Sequence, residues 1–369
     1  LGMIRNPDGS IAHGLNEYAT LENFRRQLEQ HLRDELIRFL RESTADQRSA
    51  PVRESPDSDG KRAGSATAKQ RLQSTKAEST SGIASELDAK PGLEVKESNL
   101  ADLPYTELGE TGKDEFGHWL RWDYHGVEQV FRWIPPGRFW MGSPETEPEH
   151  DDREKLRQLK LTRGFWLGDT AVTQALWTAV MAKNPSEFPG GDRPVERVSW
   201  DDVQQLLNRM HIEYPGIPFG LPTEVEWEYA CRAGTRTPFS FGWNITPAMV
   251  NYDGRYPYDG GAKGQYREQT VTVKTLPPNP WGLFEMHGNV WEWCADGLRD
   301  FGKAEYDGVA TDPEGPEDAY RVVRGGSWIS RGRNVRSACR PHNAPDDRGG
   351  DLGFRLALRG PVQSSPEGR

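Results

Sequence analysis

Thiols are where redox, metal and nucleophilic chemistry would begin, and this chain carries three: Cys231, Cys294 and Cys339. No two have the short spacing of a zinc site. An odd, sparse set builds no disulfide framework and fits a reducing cytosol, so the expected location is cytoplasmic. Cys339 precedes His342 closely enough to raise a Cys–His nucleophile. That chemistry also needs a cleft and a group to orient the base, and the sequence names neither. His287 has no second His or Cys at ligand spacing, which predicts a hydrogen-bonded histidine rather than a ligand. The acidic run Glu145-Thr146-Glu147-Pro148-Glu149-His150-Asp151-Asp152-Arg153-Glu154 reads as a solvated loop with no ligand.

The elements that would position such groups begin after a long polar stretch. Leu21, Phe24, Leu28, Leu32, Leu36 and Leu40 recur at helical spacing, which predicts an amphipathic docking or dimerising helix within an N-terminal segment, 1–42. Residues 43–100 are Ser, Thr, Lys, Asp, Glu, Ala and Gly with almost no aromatics; too little apolar surface is available to offset ordering entropy, and a flexible linker is expected. From Phe116 the texture changes. Clusters at 118–122 and 129–133 predict strands. Thr173 leads a helix over 174–182, Ser199 caps one over 200–210, and Thr223 with Glu226 forms a capping box for one ending at Arg232. Short strands are expected near 271–273, 290–293, 322–328 and 353–358 among Gly- and Pro-rich loops. Few helices, short strands and many loops make an α+β layout over 101–360, followed by a disordered tail, 361–369.

Composition narrows the function classes. The net charge is −10 with no basic face, so nucleic acid is not an expected partner. No apolar run reaches the roughly 18 residues of a membrane span, and no signal-peptide apolar region is visible. The chain opens on Leu1 rather than Met, and an upstream effector or signalling domain is expected. Most of the 13 Trp and 39 Gly fall after residue 115, as suits a loop-rich, aromatic-packed fold.

Within 115–359 the residues carry a resemblance. Ile134-Pro135-Pro136-Gly137-Arg138-Phe139-Trp140-Met141-Gly142-Ser143, Pro194-Val195-Glu196-Arg197-Val198-Ser199-Trp200 and Leu221-Pro222-Thr223-Glu224-Val225-Glu226-Trp227-Glu228-Tyr229-Ala230 come first. Pro278-Asn279-Pro280-Trp281-Gly282-Leu283-Phe284 runs into Glu285-Met286-His287-Gly288-Asn289-Val290-Trp291-Glu292-Trp293, and Arg324-Gly325-Gly326-Ser327-Trp328 and Leu352-Gly353-Phe354-Arg355 complete the order. This series resembles the formylglycine-generating-enzyme, or sulfatase-modifying-factor, family, and implies its C-type-lectin-like fold.

Family enzymes oxidise a substrate cysteine with two cysteines just after the Gly-Gly-Ser-aromatic motif. Here Ser330 matches the first and no cysteine matches the second, so paired-thiolate copper chemistry is not expected. The resemblance implies calcium held by Glu285, the Gly288 and Val290 carbonyls and Glu292, with Glu285 standing where a shorter Asn or Asp is usual; the alternative is that Glu292 pairs with an arginine in the core. A second family site would use the Asn251 and Tyr252 carbonyls, but Gln265 falls where its carboxylate is expected.

The segment 329–351 resembles the variable region of diversity-generating-retroelement proteins, in which template Asn codons are mutated at adenines. Ile329, Ser330, Arg331, Arg333, Asn334, Cys339, Pro341, His342, Asn343, Ala344, Asp347, Gly349, Gly350 and Asp351 match such positions. They alternate with Val335-Arg336-Ser337-Ala338, Arg340, Pro345-Asp346 and Arg348. None is Lys, Glu, Gln, Met or Trp, residues that adenine changes in an Asn codon cannot produce. The expected function is a ligand-binding module whose face is 329–351, with Arg331, Arg333, His342 and Asp347 as polar contacts and Ile329 and Trp328 as apolar ones. The expected partner is a protein or cell-surface ligand. The alternatives are a formylglycine-type oxidoreductase and an undiversified accessory domain.

Overall fold

The computed structural model describes residues 103–299, 309–313, 315 and 320–359. The chain divides into two units, Leu1–Ala89 and Lys90–Arg369, and every described residue falls in the second. The N-terminal helical segment, the linker and the tail expected from the sequence lie outside the described residues.

Glu110–Asp114 (β1), Gly117–Tyr124 (β2) and Val127–Ile134 (β3) form an antiparallel meander. Along β2 the strand period is clean: Leu120, Trp122 and Tyr124 are buried while Arg121 and Asp123 face out. Gly137–Met141 (β4) and Arg157–Leu161 (β5) pair on either side of the acidic run, and Phe165–Gly168 (β6) returns to β3. Helices Gln174–Met181 (α1) and Trp200–Glu213 (α2) follow. Thr173 caps α1 by accepting from the Leu176 N–H at 3.2 Å. Ser199 and Asp202 form a reciprocal capping box on α2, which buries Val203, Leu206, Leu207 and Met210. After Phe219–Gly220 (β7), the box of Thr223 and Glu226 opens Glu224–Arg232 (α3) with bonds of 3.1 and 2.8 Å. The rest is short strands: Trp291–Gly297 (β8), Ala310–Thr311 (β9), Arg321–Arg324 (β10), His342–Asn343 (β11), Leu352–Gly353 (β12) and Ala357–Arg359 (β13).

The strands make three sheets, ordered β1-β2-β3-β6-β13-β7, β11-β10-β8-β12 and β4-β5-β9. β13 lies antiparallel between β6 and β7 and so ties the edge strand β7 to the meander. Trp122, Phe131, Trp166, Leu206, Trp293 and Phe354 share one core; Ile134, Leu159, Trp227, Tyr229, Cys231 and Cys294 share a second. Each such side chain contributes roughly 1.5–3 kcal/mol by leaving water. A third, smaller core of Phe239, Ile245, Val250, Tyr252 and Tyr258 closes on Val335.

Three expected strands differ. Residues 271–273 form none, because the Asn289 side chain takes the place of a neighbouring strand: its Oδ1 accepts from the Val271 N–H (2.8 Å) and its Nδ2 donates to the Val271 carbonyl (3.2 Å). The strand expected over 322–328 stops at Arg324, where Gly325 and Gly326 take φ of +94° and +76°. The strand expected over 353–358 divides into β12 and β13, which belong to different sheets.

Candidate ligand-binding face

The segment that leaves β10 is shaped first by backbone. Gly326 cannot carry a side chain, since a Cβ there would lie 2.4 Å from Val335 Cγ1. The Ser327–Ser330 turn is closed by Ser330 N–H to the Ser327 carbonyl (3.0 Å), and the Ser330 hydroxyl accepts from Ser327 N–H at 3.0 Å. A neighbouring loop holds the turn from outside: Asp253 N–H donates to the Ser330 carbonyl, and Gly332 N–H to the Tyr256 carbonyl, both at 2.9 Å.

Buried ion pairs then fix the segment from below. Arg336 uses all five guanidinium donors: Nη1 on Glu147 (2.8 Å) and Glu154 (2.7 Å), Nη2 on Glu154 (2.8 Å) and the Glu149 carbonyl (2.7 Å), and Nε on the Arg333 carbonyl (3.0 Å). The acidic run is therefore solvated only in part: Glu145, Thr146, Glu149, Asp152 and Arg153 are exposed, while Glu147 and Glu154 are buried, drawn in by a cation distant in sequence. Arg340 is bidentate on Glu224 at 2.6 Å. Arg324 pairs with Glu228 and also donates to the carbonyls of Ser337, Ala338 and Cys339. Glu224 and Glu228 sit one helical turn apart on α3, so one helix face clamps both arginines. His287 adds a neutral link. Its Nε2 accepts from Ser240 N–H (3.1 Å), so the proton is on Nδ1, which donates to the Val335 carbonyl at 2.7 Å. Burial lowers its pKa to about 4.

Above these anchors all but one of the matched positions reach solvent at least in part. Of the fourteen, Ile329, Arg331, Arg333 and Asp347 are exposed, Ser330 is buried, and the others are half-buried. Val335, Arg336, Ser337, Ala338 and Arg340, the interspersed residues, are buried. Pro345, Asp346 and Arg348 are not; Arg348 is instead held by two bonds to Asp202 at 2.8 and 2.9 Å. Next to the segment lies a ladder of rings and guanidinium groups: Arg331 over Tyr256 (4.7 Å), Arg255 over Tyr266 (4.1 Å), Tyr266 stacked on Trp328 (6.0 Å), and Phe188 edge-on to Trp328 (5.3 Å). Arg255, Tyr256, Tyr266 and Phe188 were not singled out from sequence; two tyrosines in a Gly-, Asp- and Pro-rich loop were the available signal. Trp328 Nε1 donates to the Gly350 carbonyl (3.0 Å) and so joins this ladder to the far end of the segment. There a cavity of about 300 Å³ opens among Trp291, Val323, Pro341, Asn343, Asp347, Arg348, Gly349, Asp351 and Leu352.

The residues with possible reactive roles are otherwise engaged. Cys339 and His342 make no contact that would form a nucleophilic pair: His342 packs edge-on to Tyr320 (5.2 Å), and burial raises the Cys339 thiol to about 11. Cys231, buried beside His287 (3.6 Å), is raised to about 12 by burial, and Cys294 is also buried and raised. The calcium set meets a competing cation. Glu292 is bidentate on Arg355 at 2.7 Å and accepts from Trp227 Nε1 at 2.6 Å. Both oxygens are occupied, and the Arg355 guanidinium supplies the counter-charge that a metal would. Glu285 instead accepts from Lys274 N–H (3.3 Å), and burial raises its carboxyl to about 7. Gly288 and Val290 are buried in the same motif. These side chains do not fit a calcium site built around Glu292. At the second site, the Asn251 carbonyl accepts from Asn289 N–H at 2.9 Å.

Residues 127–359 match the model of the sulfatase-modifying factor enzyme 1-like domain. The chain belongs to this family. It is 39% identical over 175 residues to a formylglycine-generating enzyme of Streptomyces coelicolor, spanning 45% of this chain and 52% of that protein. It is 35% identical over 198 residues to one of Thermomonospora curvata, spanning 51% and 62%. The match thus covers less than two thirds of the length of these relatives. Among solved structures, the Treponema denticola variable protein 1 matches with a TM-score of 0.56 and 28% identity, over 66% of this chain and 99% of that one. The sulfatase-modifying-factor fold of this chain is α+β and of the C-type lectin type, with the motifs of the family serving here as its ion-pair clamps. Ser330, the residue expected from the resemblance to match the first family cysteine, is engaged within its own turn, bonded to Ser327.

Proposed function

We propose that this domain is a ligand-binding module rather than an oxidase, with 329–351 as its binding face and the exposed positions as those a diversity-generating retroelement would rewrite. The observation that carries the reading is the division of labour within one segment. The side chains that anchor it are buried and ion-paired, while nearly all the matched positions reach solvent. Side chains on such a face can change without disturbing what holds it. The likeness to the Treponema denticola variable protein supports the same reading. Its ligand class is a protein or cell-surface partner, met through a face that includes both the ring–guanidinium ladder and the cavity.

The test has two parts. The gene's surroundings are searched for a reverse transcriptase and an adenine-rich copy of the 329–351 segment; absence of both ends the diversification reading. A library varied at Ile329, Arg331, Arg333, Asn334 and Asp347 is then selected against unrelated protein targets. Folded binders are expected, whereas a library that folds but yields none removes the binding face. The competing oxidase reading predicts copper-dependent turnover of a cysteine-containing peptide that is lost in Cys339→Ser, and no such turnover is expected.

A further inference from the structure

The cavity at the end of the face has a chemical character of its own. Trp291, Val323, Pro341 and Leu352 give it an apolar part of its lining. Two carboxylates, Asp347 and Asp351, also line it. Each has one oxygen engaged by a neutral donor: Asp347 Oδ2 by Ala344 N–H (3.0 Å) and Asp351 Oδ2 by the Ser327 hydroxyl (2.8 Å). Neither is ion-paired among the described residues; Arg348, a cation that also lines the cavity, is committed to Asp202 by two bonds. Gly349 keeps Asp351 open, because a Cβ there would lie 2.7 Å from Asp351 Oδ1. Desolvation raises the Asp351 carboxyl, as expected for a half-buried acid without a counter-charge.

We propose that this cavity takes a lysine side chain presented by a protein partner. The proposal rests on the binding-face reading and names the chemistry of one part of it. A lysine matches both surfaces: its methylene stem lies along the apolar part of the lining while the ammonium reaches the two acids. An ammonium also fits the hydrogen bonding better than a guanidinium does. Two separate carboxylates, each with one oxygen already engaged, suit a compact charge with three rotatable donors, whereas an arginine fork is best matched by one carboxylate with both oxygens available. A cavity of about 300 Å³ is at the small end of ligand pockets, sized for one side chain.

The test is saturation-transfer NMR on the full chain with Nα-acetyl-lysine methylamide, against the norleucine, arginine and glutamate analogues. The lysine probe is expected to bind about tenfold more tightly than norleucine, which keeps the stem and lacks the charge. Asp347→Asn, at an exposed position, is expected to cut that preference severalfold with an unchanged melting temperature, and Asp347→Asn with Asp351→Asn to abolish it. Equal binding of norleucine, tighter binding of arginine or glutamate, a preference that survives in the double variant, or no binding of any probe at about 20 mM overturns the proposal. Those results leave the library selection unaffected, so the two readings fail separately: library binders without a lysine preference reject only the pocket, and lysine binding without library binders rejects only the wider face.

Discussion

Arg336→Met is the sharpest perturbation of this scaffold. It removes a buried cation that neutralises Glu147 and Glu154 and closes five hydrogen bonds. Taking the paired guanidinium from two buried carboxylates, of which Glu154 keeps only the Ser143 hydroxyl (2.7 Å), costs about 3–5 kcal/mol. At about 2–4 °C per kcal/mol for a domain of this size, the melting temperature should fall by roughly 10 °C. The contrast is a triple variant on the face, Ile329→Ser, Arg331→Ser and Arg333→Ser. The ion pair of Arg333 with Glu149 (3.2 Å) is solvent-exposed and worth about 0–1 kcal/mol, and Ile329 is already 51% exposed. Arg331 over the Tyr256 ring adds about 0.5–1 kcal/mol. Three changes on the face should therefore cost about 1–2 kcal/mol together, less than the single change beneath it. Urea unfolding followed by tryptophan fluorescence measures both. Adding Glu147→Gln and Glu154→Gln to Arg336→Met should restore part of the loss, because no buried charge is then unpaired. If the triple variant loses more stability than Arg336→Met, or the rescue makes matters worse, the separation of anchors from face is wrong.

Two further outcomes follow from buried titratable groups. Asp296, buried and accepting from Glu224 N–H at 3.0 Å, has its carboxyl raised to about 7, chiefly by desolvation. A raised carboxyl favours the folded state below its ordinary range and loses that contribution as pH rises through the folded value, so the window runs from about pH 4 to 7. The stability of wild type relative to Asp296→Asn should fall by about 1–3 kcal/mol from pH 4.5 to 8, and a flat or rising difference refutes the assignment. As for the thiols, burial raises all three, so few are thiolate at neutral pH. Ellman's reagent should find at most one slowly reacting thiol in the folded protein and three in guanidinium chloride; fast labelling of Cys339 would restore it as a reactive residue.

Much of the fold was legible because its signals are local. The caps at Thr173, Ser199 and Thr223 name the donors they satisfy within three residues, and all three helices begin where they predict. The alternation in β2 reports burial directly. The strand expected at 271–273 does not form, since Val271 is bonded to the side chain of Asn289 and Val273 N–H to the lone carbonyl of Asp192 (2.9 Å), partners that local sequence does not reveal. The acidic run misled at Glu147 and Glu154 for a related reason: charge along a chain predicts exposure until an arginine from elsewhere supplies the counter-ion. Glu292 illustrates the same limit, because a carboxylate suited to calcium by type is equally suited to Arg355, and only position distinguishes them.

The sequence by itself determined the family, the helix starts, the spacing of the three cysteines and the place along the chain where fixed and odd residues alternate. Those features depend on residue type and short spacing. Tertiary structure alone decided what the alternation means. Arg336, Arg340 and Arg324 meet glutamates of the acidic run and of α3 that lie about a hundred residues or more away. Ion pairs of that kind depend on where the chain brings its charges, and it is their burial that leaves Ile329, Arg331, Arg333 and Asp347 open to solvent.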